Sequence, residues 1–312
     1  EKVEFDLEYF NKITKGGLPQ KTLNIALAGT GVGKSLFMCH MAASTLMQGK
    51  NVLYITMEMA EERIAERIDA NLLDVTLDDL RLLTRDVYTS RIGRVKTKTK
   101  GKLIVKEYPT ASAHSGHFRH LINELKLKKN FVPDVIYIDY LNICASSRMK
   151  PGSVNSYTYI KSIAEELRGL AVEVGVPVFS ATQTTRSGYS NSDVGLEDTS
   201  ESFGLPATAD FMIALISSEE LEELGQIMVK QLKNRWGDIG NPKRFVVGID
   251  RSRMRLFDAE ESAQENLMQE DSGKKPQKQQ SDSIMDKSSF GSRLNDELSG
   301  VRRKKPKFEG FN

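Results

Sequence analysis

Short apolar runs alternate along most of the chain with longer stretches in which apolar positions recur every three to four residues. Runs at 23–27, 52–56, 103–107, 134–138 and 177–182 have the length and β-branched content of buried strands. Between them, helical period predicts helices from about 34 to 47, stopped near Gly49, from 60 to 73, after Thr76, and from 157 to 174. Residues 5–10 read as a short helix, 16–19 as a turn, and 96–100 as a basic loop. Further strands are expected at 211–216, 226–231 and 244–249. Strands and helices alternating at this spacing predict an α/β domain with a mostly parallel central sheet.

Beyond Asp258 the pattern stops. Gln, Ser, Lys, Asp and Glu dominate, and such a segment buries too little apolar surface to offset its conformational entropy. The expectation is a domain over 1–258 followed by a disordered tail over 259–312. The tail ends in a basic cluster, Arg302 to Lys305, followed by Phe308 and Phe311, which suits either a docking peptide or a purely solubilising segment.

Composition narrows the picture. A hydrophobic content of 39% and a charged content of 28% describe a globular protein, and a net charge of +2 leaves any nucleic-acid surface to local clusters. No apolar run spans a bilayer and no signal peptide opens the chain, so no membrane role and a cytoplasmic location are expected. The chain opens at Glu1 without an initiator Met, as part of a longer protein would. Cys39 and Cys144 read as buried thiols rather than a disulfide or metal pair. His114, His117 and His120 recur at a spacing of three with no carboxylate or thiol partner nearby, and read as a solvated helix face rather than a metal site.

The chemistry centres on Ala28-Gly29-Thr30-Gly31-Val32-Gly33-Lys34-Ser35, which lies between an apolar run and a helix opening with Leu36. Glycines let consecutive N–H groups turn inward on phosphate oxygens, and the helix adds the positive end of its dipole. Lys34 would reach the β- and γ-phosphates and the Ser35 hydroxyl would ligate Mg²⁺. Ala28 stands where the strict pattern has glycine. ATP, or GTP, with Mg²⁺ is the expected ligand.

Strand ends supply the other candidates. Glu58 follows the strand at 52–56 and could deprotonate an attacking water, or simply be an acid near a helix N-terminus. Asp139 ends a strand and would hold Mg²⁺ through water. Gln183 ends another and is either a γ-phosphate sensor or a buried amide satisfied by backbone. Two polar loops follow these strands, 146–156 with Arg148 and Lys150, and 184–202 with Arg186. They are candidates for binding single-stranded DNA, or carry ordinary solvated charges. Lys233 and Arg235 alternate about Asn234 and so point to one side of an extended segment, facing either another subunit or solvent.

These motifs, in order and with similar spacing, resemble the motor domain of DnaB-like hexameric replicative helicases, a RecA-fold family, over about residues 5–257. The nearest form is the T-even-type bacteriophage branch. An Ala-led phosphate loop is usual there. Residues 54–59 resemble the strand ending in the catalytic glutamate, 138–141 the Walker B motif, and 177–186 the strand ending in the sensor glutamine. Lys233-Asn234-Arg235 with Gly237 and Gly240 resembles the segment carrying a Lys and an arginine finger into the neighbouring subunit. The resemblance implies an ATP-dependent DNA helicase, a hexameric ring on single-stranded DNA, and primase or another replication protein as partner, met through the tail. The family's N-terminal domain is missing from the chain. Rival readings are a RecA-like recombinase or other RecA-fold ATPase, and a nucleotide-gated assembly factor.

Overall fold

The apolar runs pair side by side. The computed structural model describes residues 1–183 and 204–271. In chain order, β1 (Lys2–Val3), α1 (Glu8–Thr14) and β2 (Leu18–Pro19) precede the first long apolar strand, β3 (Leu23–Ala28). Next come α2 (Lys34–Met47), β4 (Val52–Thr56), α3 (Glu61–Leu73), α4 (Leu77–Leu82), α5 (Arg85–Lys98), β5 (Leu103–Glu107) and α6 (Ser115–Lys129). They are followed by β6 (Val135–Asp139), α7 (Ser156–Val174), β7 (Val178–Gln183), α8 (Gly204–Thr208) and β8 (Phe211–Ile216). The described part closes with α9 (Glu219–Glu223), β9 (Gln226–Asn234), β10 (Arg244–Asp250), β11 (Arg255–Asp258) and α10 (Glu261–Asp271).

Among the described residues, nine strands form one sheet in the order β11–β10–β9–β8–β3–β7–β6–β4–β5. The ladders from β5 through to β8 are parallel, and those joining β8, β9, β10 and β11 are antiparallel. Every residue of β3, β4 and β6 is buried, because helices cover both faces. On one face Ala26, Tyr54, Tyr137 and Phe179 pack under α1, α2 and α3, among them Phe10, Phe37 and Ile64. On the other face Ile25, Ile55 and Ile138 meet α6 and α7 through Phe118, Ile163 and Leu167. The parallel α/β expectation is met, with an antiparallel extension at one edge.

Several local expectations shift. The first helix starts at Glu8, not at residue 5, and Leu18–Pro19 pairs with Lys2–Val3 as a small second sheet. Lys96 and Lys98 belong to the last turn of α5, where cations favour the helix dipole, so the basic loop is shorter than expected. His114 stands before α6 rather than on it. Its Nδ1 accepts from Gly116 N–H while His117 Nδ1 accepts from His114 N–H, a reciprocal cap. Both thiols are free and buried, and burial pushes Cys39 up to about 12.

The described structure runs past the boundary expected at 258. Order continues through α10, and buried Gln264 both accepts from Val246 N–H at 3.0 Å and donates to Val246 C=O at 2.7 Å. The β10–β11 register ends at Val247, so this side chain takes over the ladder where the edge strand stops. Polar composition hid the helix because its apolar contacts are few, Ala263 and Leu267 one turn apart, and the Gln264 amide adds to them. The rest of the expected tail, from 272 onward and with it Phe308 and Phe311, lies outside the described residues. Replacing Gln264 by Ala leaves two buried backbone groups unpaired and should cost about 1–3 kcal/mol. Urea unfolding would read this as a lower midpoint at unchanged slope. An unchanged midpoint would mean the Gln264 bridge contributes nothing to the domain's stability.

Candidate nucleotide site

Beyond β3, Gly31 and Gly33 take φ values of 78° and 125°. Only glycine adopts these freely. Gly33 is the N-cap of α2 and offers no side-chain cap, so the first amides of the helix are left for an anion. A Cβ at Gly33 would also come within 3.5 Å of Arg251. The loop borders a cavity of about 350 Å³ lined by Thr30, Lys34, Ser35, Leu36, Glu58, Arg67, Gln183 and Arg251, together with Gly29 and Gly31. Burial of Leu36 anchors the first turn of α2 beneath it.

Parallel register brings the strand ends level. Thr56 lies opposite Asp139, and Ala28 opposite Gln183. Thr56 Oγ1 accepts from Met59 N–H and donates to Met59 C=O, closing the turn that presents Glu58. Glu58 precedes α3 and stands 3.3 Å from Lys34 Nζ, which also lies 3.3 Å from the Tyr140 ring centroid. Gln183 is not satisfied by backbone. Its Nε2 donates to Thr30 Oγ1 in the phosphate loop, and its Oε1 accepts from Tyr140 Oη at 3.5 Å.

Asp139 is fully buried; one carboxylate oxygen accepts from Tyr54 Oη at 3.0 Å and the other has no partner. Burial pushes its carboxyl above the usual range, against the Lys34 charge and the Tyr54 and Ser35 hydroxyls. An unpartnered buried oxygen beside a serine hydroxyl suits a small hard cation. Ser35 and Asp139 are the residues that would hold Mg²⁺, which draws most of its ligands from water and phosphate. Among the described residues no group of three or more His, Cys, Asp or Glu residues is placed to hold a metal ion.

Lys233 and Arg235 are not in this cavity. The antiparallel run of β9 carries them to the start of β8, the end of the sheet away from the phosphate loop. Lys233 is the penultimate residue of β9, past a bulge at Leu232, and Arg235 follows the strand end. Asn234 pins the turn between them and Gly237, accepting from Trp236 and Gly237 N–H and donating to Ile13 C=O. Arg235 Nη1 lies 3.2 Å from buried Asp210, which Arg168 also contacts at 3.1 Å. Lys233 Nζ donates to the carbonyls of Pro206 and Ala207.

The loop after β6 is tied at its root by buried Glu166, which accepts from Ser115, Ser146 and Ser147. Arg148 and Lys150 are exposed beyond that anchor, with Arg148 3.2 Å from Glu165. Arg186 lies outside the described residues. Sequence reasoning missed Arg67 and Arg251. Arg67 sits mid-helix on α3, and Arg251 follows an acid at a strand end, a signal already used for Asp139.

Together these features define a phosphate-loop nucleotide-binding domain of the α/β class. The chain belongs to the DnaB-like helicase C terminal domain family, whose model matches residues 3–247. It is 49% identical over 265 residues to the DnaB-like replicative helicase of Enterobacteria phage T4, covering 84% of this chain and 56% of that protein. A probable plasmid replicative DNA helicase of Chlamydia psittaci is 30% identical over 226 residues, covering 69% of this chain and 47% of that one. The chain thus spans about half the length of these curated relatives. Among solved structures, a DnaB-like replicative helicase, described with its interactions with primase, matches with a TM-score of 0.70 at 18% identity, covering 83% of this chain and 62% of that one. A separately solved ATPase domain matches at 0.68 and 17%, covering 83% and 93%. The fold is the one these structures share.

Lys34→Ala should weaken ATP binding at least tenfold, because it removes a charge-assisted hydrogen bond to phosphate. Glu58→Gln should keep binding but lose nearly all hydrolysis. Fluorescent-nucleotide titration and phosphate release measure the two. Full turnover by either variant would remove that residue from the site.

Proposed function

We propose that the chain is the ATP-driven motor domain of a replicative DNA helicase, working on single-stranded DNA as a hexameric ring whose active sites are shared between neighbours. The supporting observation is the separation of Lys233 and Arg235 from the phosphate loop of their own chain, by the length of a strand of about 17–20 Å. A cation pair that far from its own cavity can act on a phosphate only across a subunit boundary. A RecA-like filament would also share sites, and ring or filament is decided by particle shape in electron micrographs.

In this reading the phosphate loop and Lys34 bind the triphosphate. Ser35 and Asp139 would hold Mg²⁺, which would supply charge neutralisation at the phosphates. Glu58 orients and deprotonates the attacking water, with Lys34 as its resting partner at 3.3 Å. Gln183 registers the γ-phosphate, and its bond to Thr30 ties that register to the loop. Lys233 and Arg235 neutralise charge on the transferred phosphoryl group of the next subunit, where an arginine finger is worth about 10³–10⁵ in rate. GTP would fit the same phosphate contacts. Primase, or another replication protein, is the proposed partner.

Mixing tests the shared site. Arg235→Ala and Lys34→Ala proteins should each be inactive alone. Mixed, interfaces pairing an intact loop with an intact finger should regain hydrolysis in a concentration-dependent way. Inactive mixtures in which mixed oligomers are demonstrated would place Arg235 outside any shared site.

The DNA path is tested by salt. Removing the charges of Arg148, Lys150 and Arg186 should weaken single-strand binding equally across sequences. The salt dependence should flatten by roughly 0.7 unit of slope for each phosphate no longer neutralised. Parental affinity and slope in the triple variant would put these loops off the path.

A further inference from the structure

The phosphate loop is gripped by a cavity-lining side chain to which the proposed function gives no part. Arg251 Nη1 donates to Gly31 C=O at 3.3 Å and Nη2 to Val32 C=O at 3.1 Å, while Glu222 Oε1 stands 3.6 Å from Nη2. The two carbonyls belong to consecutive peptide planes, flanked by Gly31 and Gly33 at positive φ. Glycine lets such planes rotate freely, and a rotated plane turns its N–H away from the cavity. A planar guanidinium fork bonded to both carbonyls fixes the two planes: Val32 N–H closes the loop on Gly29 C=O at 3.3 Å, and Gly33 N–H is left on the side away from the fork.

The fork itself stands on a fixed base. Arg251 opens the turn between β10 and β11, where Asp250 accepts from Ser252 N–H at 3.0 Å, Arg253 N–H at 3.2 Å and Arg253 Nη1 at 2.8 Å. Despite burial, these bonds bring the Asp250 carboxyl down to about 2, so it stays ionised. The same turn is tied to the helices beside the cavity. Ser252 C=O accepts from Leu77 N–H at 3.0 Å, and Met254 C=O from Asn71 Nδ2 at 2.6 Å. Asp74 pairs with Arg255 at 2.8 Å.

We propose that Arg251 is a positioning residue that presets the phosphate loop in its anion-receiving form before nucleotide arrives. The inference rests on the reading of this loop as the nucleotide site. Because the preset serves the loop and not the γ-phosphate, its loss weakens diphosphate and triphosphate alike.

The test uses the whole chain, with fluorescent ADP and ATP analogues and amide hydrogen exchange without nucleotide. Arg251→Ala should weaken both nucleotides by a similar factor of about ten, the worth of one charge-assisted hydrogen bond. Amides 30–34 should exchange faster, with the rest of α2 unchanged. Arg251→Lys keeps the charge but cannot bridge two planes, and should show the same pattern at smaller size, which guards against an Ala variant that folds poorly. Unchanged loop exchange, unchanged affinity, or a loss confined to ATP would each overturn the proposal. Failure of the parent chain to bind either nucleotide would instead overturn the reading of the loop.

Discussion

Parallel register is the constraint on which the site depends. Side chains alternate faces along a strand, so a slip of one residue would turn every functional group to the wrong side. In the observed register Tyr54 lies opposite Tyr137 and Thr56 opposite Asp139. The two tyrosine rings stack at 6.2 Å beneath α2. Residues 137 and 139 share that face, so stacking the tyrosines also turns Asp139 toward α2, where Lys34 and Ser35 begin the helix. Packing of two aromatic rings thereby fixes the direction of a carboxylate that could not choose its own surroundings.

That carboxylate is the least comfortable group in the fold. Burial without full pairing disfavours the charged form, and Asp139 is relieved only by Lys34 nearby and by hydroxyls. Lys34 is itself drawn toward Glu58 and the face of Tyr140. Lys34 thus faces two carboxylates beside a loop whose amides attract anions, and Arg67 and Arg251 add their charges to the same cavity. In the proposed site a phosphate would meet those cations and the loop amides, and a hard cation would meet the unpartnered Asp139 oxygen.

Much of this was legible in the sequence because parallel strands covered on both faces are short, continuous and apolar. The ends of β3, β4, β6 and β7 fall within a residue of expectation, and with them Lys34, Glu58, Asp139 and Gln183. Legibility failed where structure depends on polar side chains bonding to backbone. Asn234 pinning the Trp236–Gly237 turn, His114 capping α6 and Gln264 continuing a ladder have no periodic signature. Arg251 was missed for another reason: the strand-end acid before it marks a position but not its partners. Its partners are carbonyls more than 200 residues away in sequence, and no local pattern reports such a contact.

The Arg235 cluster shows how a side chain can be held and still be free to leave. A one-to-one pair with buried Asp210 would resist separation, since withdrawing the cation strands a charge at a cost of several kcal/mol. Asp210 has more than one partner. Arg168 gives it two bonds, at 3.1 and 3.2 Å, and Leu23 N–H gives a third at 2.9 Å. With Arg235 withdrawn, the carboxylate keeps a full cation and a backbone donor. Lys233, whose own charge is disfavoured by burial and by Arg235 nearby, gains when that neighbour moves away. Both effects lower the cost of withdrawing Arg235 from Asp210, as the proposed shared site requires.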